Sequence, residues 1–429
     1  MSWTLRTFQT VTTCVIAGVW AAVFAVALVT ADQLPTPDTA AVQLVLPPLL
    51  WVLAARFVLH HWWVTTGSRL APMDPPERLL TAAVAALPER RREWGAAMAA
   101  ELTEVEGRAE RWRFALSSVR ATLWLGAGGG RPGVVTLVAA AVVASTAAAG
   151  PLAGAAVPGL DVFAAAFTAL VGALVVLAVA RAGRPALPVP VPTFLVVAGV
   201  VAAIAVTVVF LRREPGAADR LPPLAAIHLA AVLAGCLGFA LAPPRRLGTE
   251  RPAPHLGATA GVLFAAWLLM VLRTDGAEPP LALLLVLTLA LPLVPVAVFL
   301  LPAFVARRAG RSFRAGLLAS LWTVVTAMPL TYALWLPEAL RRYAIDGTLL
   351  VGGRGPVGTN LTDALVFTLG IFPVLGLTLG VIGAGLAART ARGPEAGGTG
   401  PGGTRPESPD PGGAGPWDSG PGPTNPARW

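Results

Sequence analysis

Apolar residues recur along this chain in ten long blocks separated by short polar linkers: 11–30, 41–64, 134–157, 162–180, 191–211, 222–242, 256–272, 281–301, 315–336 and 361–388. Each is close to the roughly 20 residues that an α-helix needs to cross a bilayer. A segment in hydrocarbon must satisfy its own backbone hydrogen bonds, so blocks of this length predict helices. The pattern therefore predicts an all-α, polytopic membrane bundle of ten spans, weakest at the short seventh block. The first block is preceded by Arg6, but it is too apolar and too long for a cleavable signal and lacks a convincing small-residue cleavage motif.

The blocks divide the chain into a two-span unit (1–64), a hydrophilic insert (65–133), an eight-span unit (134–388) and a tail (389–429). From Gly393 to Trp429, Gly and Pro supply 20 of 37 residues. So few apolar groups cannot offset the entropy of ordering, and the tail is expected to be disordered. The last eight spans fall into four pairs, which is compatible with a structural duplication, although no tandem repeat is visible.

Composition fits lipid as the main solvent: 55% of residues are hydrophobic, 13% are charged, and the mean hydropathy is +0.69. All 32 basic residues are arginine, which together with 45 Gly and 40 Pro points to a bacterium with a GC-rich genome. The net charge of +9 comes from arginine clusters at the ends of apolar blocks. Anionic head groups are the nearer partner there, and nucleic-acid binding is set aside. If the N-terminus is inside, 24 arginines fall in cytoplasmic segments, 7 in outer loops, and Arg56 within a span. This bias predicts a multi-pass protein of the cytoplasmic (inner) cell membrane with both termini and the insert in the cytoplasm. The loop with Arg212 and Arg213 runs against it.

The insert has the most structured pattern. Asp74 before Pro75, with Glu77 three residues on, predicts a helix start. Trp94, Met98, Leu102 and Val105 make one helical stripe, and Trp112, Leu116, Val119 and Leu123 a second beyond Gly107. Seven Arg and six Glu between residues 89 and 120 leave the opposite faces charged but nearly neutral in sum. Three readings stand: a hairpin packed on the protein itself, a docking face for a cytosolic protein partner, and an interfacial membrane helix. The candidate interaction surface is Trp94, Met98, Leu102 and Trp112, joined by Phe114 and Trp124 off the stripe.

The run Leu87-Pro88-Glu89-Arg90-Arg91-Arg92-Glu93-Trp94-Gly95, with Met98, Glu101-Leu102, Glu110-Arg111-Trp112-Arg113-Phe114-Ala115-Leu116 and Arg120-Ala121, resembles a juxtamembrane segment of uncharacterised multi-pass membrane proteins of GC-rich bacteria. The resemblance covers fewer than 40 of 429 residues and implies membrane residence, with no activity to transfer.

Ionisable groups inside spans are costly and mark pathways. Arg56 in the second span can snorkel to its near interface or face the bundle. His60 and His61, beside Trp62 and Trp63, suit an interfacial belt and are too few for a metal site. His228 is either a titrating group or a buried imidazole bonded to a neighbouring helix. Before the last span, Gly353-Arg354-Gly355-Pro356-Val357-Gly358 matches a dinucleotide fingerprint in letters only, with no strand before it and no βαβ unit. A flexible loop is the better reading, with Asn360 as helix cap, Asp363 at the positive helix end, and Arg354 able to hold an external anion. Cys14 and Cys236 lack metal-ligand or disulfide spacing and read as packing residues.

A chain without lysine has no Walker-type phosphate loop, and it carries no HExxH, nucleophile elbow or paired carboxylates. No catalytic residue, cofactor or metal is expected. The expectation is a non-enzymatic sensor, scaffold or regulatory component that uses its insert. The alternative is a permease for a hydrophobic or lipid-like molecule, favoured by Pro292, Pro295, Pro329 and Pro373 within spans.

Overall fold

The computed structural model describes residues 5–30, 37–64, 132–156, 188–220, 225–243, 252–274, 281–351 and 354–390, residues 73–126 apart from 86 and 88–91, and isolated positions between 165 and 176. All the described residues belong to one compact unit, Met1–Ala391. The expected disordered tail, and nearly all of the expected fourth span, lie outside the described residues.

Among the described residues the fold is helical, with an isolated bridge pairing Thr348 and Arg354. Outside the insert the helices are α1 (Leu5–Thr30), α2 (Pro37–Trp62), α6 (Pro132–Ala156), α7 (Pro190–Arg213), α8 (Ala225–Leu241), α9 (Pro252–Thr274), α10 (Leu281–Gly310), α11 (Phe313–Asp346), α12 (Thr359–Val366) and α13 (Phe372–Thr390). The insert contributes α3 (Pro75–Ala85), α4 (Arg92–Glu104) and α5 (Arg108–Gly126). Six segments are long and apolar enough to cross a membrane: five within α6, α7, α9, α10 and α11, and the joined α12–α13. The seventh block, expected to be short, is a 23-residue helix, because Pro252 lacks an N–H and starts it earlier than hydropathy indicates. The short member is α8, at 17 residues.

Helix α11 is the hub. Ser312 starts it by accepting a hydrogen bond from the Ala315 N–H at 3.0 Å. Gly347, in the left-handed conformation at φ 67°, ends it with its N–H on the Tyr343 carbonyl. Over an 18-residue apolar window of this helix, 67% of the residues are buried. It packs on α7, α8, α9, α10, α12 and α13.

Hydrocarbon removes the hydrophobic drive between helices, so their association depends on close van der Waals approach, which small residues permit. Gly257 and Gly261, four apart on α9, provide that approach to α11. A Cβ on Gly257 would strike the Ala319 carbonyl and lie 2.6 Å from the Trp322 Cβ. One on Gly261 would lie 2.8 Å from the Thr323 carbonyl and 3.0 Å from the Ala327 amide nitrogen. Gly380 of α13 presents the same absence to Ser320.

Cross-helix contacts fix helix direction. Gly257 against Ala319 near one end, and Arg273 against Glu338 near the other, make α9 and α11 parallel. Gly199 beside Pro329 and Leu330, and further along the Thr207 hydroxyl 3.1 Å from that of Tyr332, run α7 in the same sense as α11. Thr193 donating to the Ala240 carbonyl sets α8 antiparallel to α7. Gly316 against Ala384 reverses α13. The bundle thus has an Arg307 end and a Glu338 end, as alternating spans require.

Substituting Gly261→Leu is expected to destabilise the protein by about 3 kcal/mol, because backbone atoms block the new side chain. Gly235→Leu on α8, where a Cβ meets nothing within 4 Å, should stay within about 0.5 kcal/mol of the parent. Unfolding of the two variants in lipid micelles checks the contrast.

Candidate functional site

The Glu338 end gathers the polar groups of the membrane unit. Glu338 is 3% exposed, on the part of α11 that continues past the expected end of the ninth span at 336. One carboxylate oxygen takes the Arg273 Nε of α9 at 3.3 Å. The other takes the Arg341 Nε at 2.6 Å and also contacts a second nitrogen of that guanidinium. Both arginines hold their charge at the surface, 62% and 42% exposed, while the acid lies beneath them. Sequence reasoning missed Glu338 by treating it as a loop residue. The available signal was the spacing Glu338-x-x-Arg341, one helical turn.

The loop after α11 carries hydrogen bonds of its own. Asp346 accepts from the Thr348 N–H at 2.9 Å, and the Arg342 Nε donates to the Thr348 hydroxyl at 3.1 Å. Leu349, Leu350 and Val357 are buried beneath it. Arg354 is exposed and pairs with Thr348 through backbone alone. Asn360 is not the helix cap expected of it. Successive turn bonds from Thr359, Asn360 and Leu361 to the carbonyls of Pro356, Val357 and Gly358 start α12 earlier, at Thr359. Fully buried, the Asn360 side chain instead accepts from the Leu350 N–H at 3.2 Å and donates to the Val357 carbonyl at 3.1 Å, stitching the loop closed. Asp363 is buried at 7% exposure, inside the helix rather than at its rim.

Beyond α12 the last span makes a π-helical turn at Phe367–Ile371, a feature that often accompanies function. Phe367 lies flat against Trp335 of α11, with centroids 5.6 Å apart and planes at 14°. The indole nitrogens of Trp335 and Trp267, the Thr326 hydroxyl and the His228 Nδ1 are buried without a hydrogen-bond partner among the described residues. His228 is thus buried on α8, and its Nδ1 makes no bond to a neighbouring helix among the described residues. Arg56 is exposed on α2 and faces away from the bundle. Its neighbour Phe57 is buried and fills the space left by Gly385 of α13.

The insert closes on itself. Leu80, Leu87, Met98, Leu102 and Ala115 form its core, with Val84 and Phe114 packed against them. Asp74 holds two elements at once: its Oδ1 accepts from the Glu77 N–H at 2.9 Å, and its Oδ2 takes the Arg111 Nε at 2.8 Å. Arg111 also reaches back to the Leu102 carbonyl at 2.6 Å. Burial alone would raise the Asp74 carboxyl, but the Arg111 hydrogen bond, the Glu77 N–H and the charges of Arg111 and Arg78 outweigh it and hold it below the usual range.

Of the candidate interaction residues, Met98, Leu102 and Phe114 serve this core, Trp112 is half-buried and Trp94 is 37% exposed. The Trp124 side chain lies outside the described residues. The second stripe is corrected: α5 buries Ala115, Ser118 and Thr122, and leaves Leu116 55% exposed. Small side chains let α5 approach α3 closely, which a hydropathy stripe does not register.

Among the described residues, no three His, Cys, Asp or Glu side chains come together. No known protein family, curated protein or solved structure matches the chain.

Two outcomes follow from these charges. Arg273→Ala or Arg341→Ala alone should cost little, since each guanidinium is solvent-exposed and the other still faces Glu338. The double variant leaves Glu338 buried without a counter-charge, and should cost about 3–5 kcal/mol, well beyond the sum of the singles. Thermal unfolding of the four proteins measures the coupling. For the insert, Asp74→Ala should lose about 1 kcal/mol of local stability, read as faster proteolysis between α3 and α5. Because the folded-state carboxyl is depressed, its contribution is present above the unfolded value of about 3.9 and fades as pH falls through the folded one. Parent and variant should therefore converge in acid.

Proposed function

We propose that this chain is a ten-span protein of the cytoplasmic membrane with both termini inside. In this reading it is a non-enzymatic sensor, scaffold or regulatory component that holds its 65–133 insert against a cytosolic protein partner. The observation that carries this reading is the self-contained insert: its core is complete, yet Trp94 and Leu116 remain exposed on α4 and α5. Exposed large apolar groups on a module already closed by its own helices are available for a partner. The arginine bias supports its cytoplasmic placement, and the chain's resemblance to juxtamembrane segments agrees with it.

A second reading, a permease for a hydrophobic or lipid-like molecule, draws support from the π-helical turn at Phe367–Ile371, from Pro329 and Pro337 inside the hub helix, and from the unpartnered indoles of Trp267 and Trp335. Broken helical hydrogen bonding beside free donors is what a binding position for an acceptor-bearing apolar molecule requires.

Photo-crosslinking residues placed at Trp94 and Leu116 of the full chain, in cells, separate the two. The first reading predicts one discrete protein adduct from both positions, lost on charge reversal at neighbouring Glu93. No adduct, together with uptake of an apolar solute by reconstituted vesicles that Trp335→Phe abolishes, would replace it with the second.

A further inference from the structure

The two ends of the bundle handle arginine differently. At the Glu338 end, Arg273, Arg341 and Arg342 all face protein carboxylates, Glu338 or Asp346. At the other end, α10 and α11 are joined by Arg311 and Ser312 alone, so Arg307 and Arg308 in the last turn of α10, Arg311 in the connection and Arg314 in the first turn of α11 fall within eight residues. None of these four has a carboxylate partner among the described residues. Arg308, Arg311 and Arg314 are exposed. Arg307 is half-buried, its Cβ packed 3.2 Å from the position a Cβ on Gly316 would take, and its Nε is buried with no acceptor among the described residues. The His61 imidazole at the end of α2 stacks on Phe313 at 4.5 Å, within electrostatic range of Arg307.

A buried guanidinium nitrogen without an acceptor costs free energy, and three further like charges close by in the chain raise that cost. An anion with several acceptor oxygens removes both penalties, and a phosphate accepts in the forked geometry that arginine donates. The geometry points to the α10–α11 turn as a binding site for the phosphate of an anionic phospholipid, with Arg307 as its anchor and Arg308, Arg311 and Arg314 around it. Lipid is the source favoured by position, because the turn joins two membrane-crossing segments and lies where head groups lie. This inference uses the membrane placement proposed above, but not the role proposed for the insert.

Native mass spectrometry of the full chain, titrated with phosphatidylglycerol or phosphatidylcholine, tests it. Arg307→Gln is expected to weaken phosphatidylglycerol binding roughly tenfold and to leave phosphatidylcholine unchanged. Arg311→Gly should weaken it too while folding at least as well, because Arg311 sits at φ 51°, a conformation that suits glycine. Arg212→Gln with Arg213→Gln, at the opposite end, should have no effect. Three results would overturn the site: phosphatidylglycerol binding unchanged in both Arg307→Gln and Arg311→Gly, an equal loss in the Arg212 and Arg213 variant, or displacement of the lipid by millimolar inorganic phosphate. Labelling of Ala309→Cys from outside the cell, with selective binding intact, would support the site and reject the cytoplasmic placement of that end.

Discussion

Close backbone approach between α9 and α11 is the contact on which the membrane unit depends. Lipid tails are as apolar as leucine, so burying leucine against leucine gains little there. Bringing two helical backbones together gains dispersion contacts that bulky side chains would prevent. Gly257 and Gly261 remove the side chains at that seam, and Ala319, Thr323 and Ala327 receive them. The other helices then pack on the remaining faces of α11, with Phe264 contacting Phe299 of α10 and Phe372 of α13.

Polar groups are distributed to suit that arrangement. Two buried threonines of α11 return their hydroxyls to their own helix, Thr323 to Ala319 and Thr331 to Ala327. The buried acid of the hub, Glu338, lies near one terminus, where arginines on two helices latch it from the surface side. A latch of this kind fixes α9 against α11 at the end remote from Gly257, so the parallel pair is held at both ends. At the opposite end, Arg307, Arg308, Arg311 and Arg314 have no carboxylate partner among the described residues.

Hydropathy makes the spans legible because each is a long contiguous signal, and α6, α7, α9, α10 and α11 all lie where the apolar blocks lie. Asp74 was equally legible, since a capping side chain and a proline at the first turn act within four residues. What hydropathy does not register is absence. Gly257 and Gly261 contribute almost nothing to a hydrophobicity profile, yet they decide which helices touch. The same limit misplaced the buried face of α5, where Ala115 and Thr122 pack inward and Leu116 does not. Asn360 and Glu338 escaped for another reason: their roles depend on partners 10 and 65 residues away, Leu350 and Arg273, which spacing within one helix does not reveal.

Cysteine accessibility along α11 tests the central claim that this helix is the buried hub of a bundle in lipid. In a background lacking Cys14 and Cys236, a cysteine at Ile345, 69% exposed, should react rapidly with an impermeant maleimide added outside intact cells. A cysteine at Thr331, fully buried, should remain unmodified from either side of the membrane until detergent unfolds the protein. Rapid labelling at Thr331 in intact membranes would contradict the account.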